Sequence, residues 1–532
     1  VRDGVNTSGP HGNGGGTQPD GRQLYRCAKT PQDVGRACWR GVAAAFADEA
    51  QNNGIDKKRV RAKVKAVKAN KRYIITAAQN ATPVHKGFWK ALEQYAEFNG
   101  AEIVVIPYRY KNPTSIWSEK AKEDDWWAPE VVPHLVNTRL DLNKHLRLLA
   151  DIKTQPTATS PLSGFESISG ARSAIIGHPK LELKTVPTPQ SALPKIITTT
   201  GACTVPNYLN TKAGKKGEFH HTFGAAVVEL VGQHFHLRQI NALADGSFID
   251  LDLEYSADGP AEAAPALALV MGDSHIEFID PKVVKATFEG PDSMVAVLKP
   301  AALVWHDTLD AYARNHHHRD NPFIAYVKHH SGHCDNVEAE IDAAFAFVDR
   351  VTPAGVCNVF VASNHDQAIA RWIRETDPRN DPENAAFWCR TYLAMLEGSR
   401  WTDTGAATID PFAYWAENKL KCYGRSTFLA RGESHTVGGI EVGYHGDLGA
   451  NGARGSLATF ASIGVKTITG HSHSPGIKEG AYRVGLNARY GLEYAVGGPS
   501  SWLQTDCVIY ANGKRSLLTI VGDQWRAPPY RG

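Results

Sequence analysis

The stretch ALALVMGDSH, residues 266–275, is a short apolar run that stops at a glycine and then presents an aspartate and a histidine two residues apart. A run of this length bounded by glycine predicts a buried β-strand, with Asp273 and His275 carried to the sheet edge. Carboxylate oxygen beside imidazole nitrogen suits Mn, Fe or Zn better than calcium. Three further apolar runs end in the same way: Leu298–Trp305 leads into HDTLD (306–310), Val356–Ala362 into SNHD (363–366), and Val465–Thr469 into GHSH (470–473). Between the last two, Ile440–Tyr444 ends in HGD (445–447). A single histidine at a strand end is more often a satisfied polar residue than a ligand. Five strand exits carrying Asp, Asn or His predict one polar site assembled from five loops.

Outward from this core, the N-terminal half has α/β patterning without evident chemistry. Arg72–Gln79 (RYIITAAQ) and Ala101–Tyr108 (AEIVVIPY) predict buried strands, and Val84–Phe98 between them predicts an amphipathic helix with Phe88, Leu92 and Tyr95 on one face. Residues 155–194 hold six prolines among many Ser and Thr and predict a long loop or interdomain passage. Strand-like runs separated by glycine-bearing turns follow between Gly224 and Ser256. The expected organisation is a flexible arm over 1–30, a basic helical segment over 31–72, an N-terminal α/β domain over 73–265 and a catalytic domain over 266–532. Thr30-Pro31-Gln32-Asp33 has the chemistry of a helix start. From Gln51 to Arg72, nine Lys or Arg face the single acid Asp56. Lys57, Lys58, Arg59, Arg61, Lys63 and Lys65 are therefore candidate contacts to a nucleic-acid backbone, with a solvated helical face as the alternative.

The bulk numbers bound the class of protein. A chain of 532 residues predicts roughly three or four domains at about 150 residues each. Hydrophobic residues at 42% and charged residues at 21% are ordinary for a protein with large buried cores. No apolar run is long enough to span a bilayer, and no secretory signal opens the chain, so a cytoplasmic location without membrane contact is expected. The net charge of +3 names no partner. Eight scattered cysteines without a C-x-x-C pair predict reduced thiols. His316–His318 and the histidines beside Cys334 match no zinc signature, and His435 competes with His445 for the lone-histidine position; the apolar run before His445 and Gly446 after it favour the latter.

The order D-x-H, D-x-x-D, N-H-D, H-G and G-H-x-H resembles the motif series of calcineurin-like metallophosphoesterases over roughly residues 266–510. His306 and Ser363 stand where that family carries glycine, a change of loop residues that leaves the ligand types intact. The resemblance implies a four-layer α-β-β-α fold and two divalent metals about 3.5–4 Å apart, Mn²⁺ foremost and Fe or Zn as alternatives. By motif position it implies Asp273, His275 and His473 on one metal, Asn364, His445 and His471 on the other, and Asp307 bridging. His365 would face the substrate phosphate as a catalytic group, with Asp366 as a candidate to orient it. The D-x-H opening and the Asn-His-Asp run also resemble the DNA-repair nuclease branch, and the long extension before a late catalytic domain is similar to phage early proteins that degrade host DNA. The expectation is thus a metal-dependent DNase acting on DNA in a host cytoplasm, with a homo-oligomer compatible. The alternatives are a nucleotide or small-molecule phosphoesterase, or a nucleic-acid-binding assembly protein with an auxiliary phosphoesterase site.

Overall fold

In a computed structural model, which describes residues 71–110, 126–189, 191–318, 321–331, 334–403, 405–492 and 496–529, every apolar run that leads into the motif loops is at least in part a strand. The helix expected after Thr30 and the six basic residues from Lys57 to Lys65 lie outside the described residues. Ala268–Val270, Ala302–Trp305, Cys357–Phe360 and Ser426–Phe428 run parallel in one six-stranded sheet, which Thr505–Ile509 and Arg515–Thr519 complete. Side chains alternate across it. Leu269, Leu303, Trp305 and Phe360 join a core with Ile341, Phe345 and Val348 of helix Val337–Val351, while Val270, Val304 and Val359 face the other way. The period of two that defines a strand thereby places helices on one face and a second sheet on the other.

That second sheet has ten strands and includes Ile440–Glu441, Thr467–Thr469, Ala481–Arg483 and Gly476–Lys478. It then continues into strands from the first half of the chain, beginning with Glu182–Val186, which pairs antiparallel with Gly476–Lys478. Ile440, Ile468, Ile477 and Tyr482 meet Val270, Val304 and Val359 in one buried layer between the sheets. The expected division at residue 266 falls inside this sheet, and Ala69–Gly532 pack as one unit. Residues 155–194, expected as a loop, contribute the helix Phe165–Ile168 and the strands Ser173–Ile176 and Glu182–Val186. The prolines punctuate these short elements without preventing them.

The β-α-β reading of 72–108 holds. Arg72–Gln79 and Ala101–Tyr108 pair in parallel, and helix Lys86–Asn99 between them buries Phe88, Leu92 and Tyr95. His85 caps that helix by accepting from Phe88 N–H at 3.1 Å, and Gly100 closes it in the left-handed region. These two strands form a four-stranded sheet with Gly224–Val231 and His234–Asn241. Ser516 Oγ donates to the Gln239 carbonyl at 3.2 Å, so the four- and six-stranded sheets lie side by side against the ten-stranded one. Among the described residues no helix is long and apolar enough to cross a membrane. The molecule is a mixed α/β protein with several sheets.

Candidate metal centre

Parallel strands end on the same side, so the exits after Ala268–Val270, Ala302–Trp305 and Cys357–Phe360 bring Asp273, Asp307 and Asn364 together. The facing sheet adds His445, His471 and His473 from its own strand ends. The contacts are short. His473 Nε2 lies 3.2 Å from Asp273 Oδ2 and 3.2 Å from His275 Nε2. His445 Nε2 lies 3.3 Å from Asp307 Oδ2 and 3.1 Å from Asn364 Oδ1, which is also 3.1 Å from His471 Nδ1. All seven residues read as ligands from the motifs therefore converge. Three sets of side chains hold donor atoms within 4.8 Å of one another: Asp273, His306 and His445; His275, Asp307 and His365; and Asp273, Asp307 and His473.

The backbone is bent to make this site. His275, Asp307, His471 and His473 all have positive φ, between 39° and 73°. L-residues adopt that region at a cost, and such strain collects where a side chain has to be aimed. Space is also tight, since a Cβ on Gly470 would come within 2.2 Å of Asp273 Oδ1.

Electrostatics identify what the cluster lacks. Asp273 and Asp307 are fully buried, yet none of their four carboxylate oxygens has a hydrogen-bond donor in good geometry. Buried carboxylates without donors are costly unless a cation or a proton balances them. Burial alone would lower the neighbouring imidazoles. Instead the hydrogen bond to Asp310 and the charge of Asp307 carry His275 up to about 9, and Asp307 carries His445 up to about 9. Asp307 in turn is held well below the usual carboxylate range, because His445 and His365 outweigh its burial. Two acidic groups ringed by imidazoles and an amide oxygen, with protons standing where positive charge is needed, could hold a metal cation.

No family model matches the chain. It is 33% identical over 463 residues to "Protein A1" of Escherichia phage T5, a span covering 85% of this chain and 82% of that protein. The chain belongs to the phage protein A1 family. The matched span is long enough to require most of the fold described above, including strands from both halves of the chain.

The remaining site residues fall into two groups. His365 sits beside the cluster, its ring 4.6 Å from that of His275, and its Nδ1 is 3.0 Å from the carbonyl of Asp310 and 3.6 Å from Asp310 Oδ1. Asp366 does not face it. Its carboxylate accepts from Leu309 N–H at 2.9 Å and from Ser363 Oγ at 2.8 Å, which clamps the Asp307 loop. The carboxylate beside His365 is Asp310, which also lies 3.0 Å from His275 Nδ1 and so fixes that ring as outer-shell carboxylates do around metal-binding histidines. Asp310 was visible as the last residue of D-x-x-D, but the motif alone did not show which histidine it meets. His306 is the second addition. It brings Nδ1 within 3.4 Å of His445 Nδ1, and burial pushes it down to about 4, so it stays neutral and able to donate a lone pair. Asp506, an acid inside the apolar strand Thr505–Ile509, accepts from Gly272 N–H at 2.8 Å and anchors the turn before Asp273.

Proposed function

We propose that this protein is a divalent-metal-dependent phosphodiesterase of the calcineurin-like metallophosphoesterase type, and that its substrate is DNA. The observation that carries the reading is the pair of buried carboxylates Asp273 and Asp307, without a donor in good geometry and enclosed by His275, His445, His471, His473 and Asn364. Asp273, His275 and His473 would hold one cation, Asn364, His445 and His471 the other, with Asp307 shared. Two cations so held would polarise a phosphoryl oxygen and supply hydroxide near neutral pH, with Mn²⁺ the preferred ion over Fe or Zn.

The chain's own groups do the rest. With Nδ1 of His365 engaged by the Asp310 carbonyl, proton exchange with the substrate falls to Nε2, which protonates the departing oxygen. Asp310 orients His365 and His275 together, and Asp366 holds the backbone of the loop that carries Asp307. Membership of a phage protein family, together with the basic run around Lys57–Lys65, supports a polynucleotide over a small phosphoester. Catalysis is assigned to residues 266–532, and the site of action to the cytoplasm of an infected host.

The test is incubation with linear, circular and single-stranded DNA in Mn²⁺, with and without chelator. Cleavage that appears with metal and stops with chelator is expected, and which forms are cut reports exo- or endonuclease action. Failure to hydrolyse both DNA and a generic phosphodiester would end this reading. For the DNA-binding role of the basic run, neutralising Lys57, Arg59 and Lys63 should flatten the log–log salt dependence of binding by about 0.9 for each duplex phosphate that is no longer neutralised. An unchanged slope would return the run to a solvated surface.

A further inference from the structure

The metal cleft does not end at His473. The ring of Trp502 packs edge-on against the His473 imidazole, with centroids 4.4 Å apart and planes at 70°. Trp502 also lines a groove of about 320 Å³ shared with Tyr490, Ser500 and residues 191–194. The groove is built from two distant parts of the chain, residues 191–194 and the neighbourhood of Tyr490 and Trp502, and each is tied in place. Paired backbone hydrogen bonds at 2.9 Å join Thr188 to Ser500. Tyr490 Oη accepts from Gln504 N–H at 3.0 Å, which sets the position of its ring. Ser474, next to His473, is joined to Ser501, next to Trp502, by a 2.7 Å hydroxyl contact.

Its chemistry is selective. Among the described residues, the lining offers two aromatic rings, proline, leucine and serine hydroxyls, and no carboxylate or amine. Leu193 and Tyr490 are 44% and 41% exposed, so flat apolar surface is presented to solvent in a preformed slot. Arg483 is half-buried and donates from Nε to the carbonyl of Ser474, the residue after His473, at 2.7 Å, which keeps a guanidinium near the metal cluster. An uncharged ring bordered by an anion is the ligand that such walls and a nearby guanidinium match.

We propose that this groove is a base subsite, taking the nucleobase of the nucleotide that borders the phosphate bound at Asp273 and Asp307. The proposal rests on the phosphodiesterase reading and deepens it by naming what lies next to the reacting phosphate. Stacking on Trp502 and Tyr490 makes the subsite tolerant of base identity, because every base has a π-face. The Trp502–His473 contact is what ties the occupant to the cleft; a groove of about 320 Å³ has room for one base and its sugar.

The experiment is an equilibrium double-mutant cycle between protein and ligand. The Mn²⁺-loaded full chain is titrated with a short single-stranded oligonucleotide made uncleavable by phosphorothioate linkages, and with the same strand carrying one abasic position moved along it. At one position, loss of the base should weaken binding roughly tenfold, within the range of a single base–aromatic stack. That penalty should be the same within a few-fold for all four bases, and it should vanish in Trp502→Leu and in Tyr490→Leu. Equal affinity for abasic and intact strands at every position overturns the proposal, as does a penalty that persists unchanged in both variants. The scan of the unmodified protein needs no variant to fold. Because the coupling is read at equilibrium, it fails or survives separately from turnover of a generic phosphodiester, which tests the underlying reading.

Discussion

Two buried clusters of charge sit in this molecule and are built in opposite ways. In the first, Arg238 spans Glu229 and Asp250: its Nη1 lies 2.9 Å from Glu229 Oε2, and its Nε and Nη2 lie 2.6 and 2.7 Å from Asp250. Tyr95 Oη and Ala527 N–H add donors at 3.1 and 2.9 Å, so the carboxylates are saturated by the protein itself. In the second, Asp273 and Asp307 are as deeply buried but have imidazoles for neighbours and no donor in good geometry. A structural cluster carries its own counter-charge, whereas a site leaves the counter-charge to be supplied. The difference is one of residue type: a guanidinium cannot give up its proton, and an imidazole can.

The sharpest way to break this comparison is to remove one member from each side. Asp307→Ala should abolish measurable hydrolysis, because the carboxylate shared between both halves of the cluster is gone. Full turnover by that variant would refute the shared role. The same variant should lower the melting temperature of chelated protein by less than Arg238→Met does. Leaving Asp250 without its cation, and Glu229 with Arg72 alone at 3.6 Å, should cost about 3–5 kcal/mol, the range for breaking a buried charge pair from one side. A larger thermal loss from Asp307→Ala than from Arg238→Met would reverse the assignment of site and scaffold.

His365→Ala probes the boundary of the site. It should slow hydrolysis by roughly 10²–10⁴-fold, the range for a lost acid–base group, while metal content by elemental analysis stays at the wild-type level. His365 stands in one donor set with His275 and Asp307, so the outcome discriminates. Loss of metal in this variant would move His365 from proton transfer to ligation.

The second cluster was legible in the sequence because its residues sit at strand ends, and strand ends follow from apolar runs of local period. Asp273, Asp307, Asn364 and His471 could be placed that way, each a few residues past a short apolar stretch. Asp310 and Asp366 show where this stops. Adjacency in sequence suggested Asp366 for His365, but the turn at 363–366 directs that carboxylate back to Leu309, and Asp310 arrives from another strand. The strand Glu182–Val186 was hidden for a related reason. It pairs on one side with Lys195–Thr199 and on the other with Gly476–Lys478, nearly three hundred residues away, and proline-rich flanks masked a short strand that pairing on both edges stabilises. The Arg238 cluster was unreadable outright, since its three charges come from separate strands and carry no motif.

The smallest expected effect is the one that separates the clusters by pH alone. Acid should weaken both. Arg238 overcomes the burial of Glu229 and holds it down at about 2, so its contribution is present above the ordinary carboxylate value and lost as pH falls toward 2. Asp273 and Asp307 are also held below their ordinary values and share that acid loss. The alkaline side differs. In chelated protein, His275 and His445 are raised to about 9, so the stability they bring is complete below about 6.5 and is lost as pH climbs through 9. Arg238 has no such loss, because its guanidinium stays protonated throughout. Divalent cations would replace those two protons, and imidazoles that are already deprotonated have nothing further to lose. Scanning calorimetry from pH 6.5 to 9 should therefore show the melting temperature falling with chelator and holding level with Mn²⁺, the two curves diverging as pH rises. In Asp307→Ala His445 loses its main counter-charge while His275 keeps Asp310, and the divergence should shrink. Parallel curves in the unmodified protein would mean that His275 and His445 do not hold protons in place of a cation, and the contrast between the two clusters would lose its electrostatic basis.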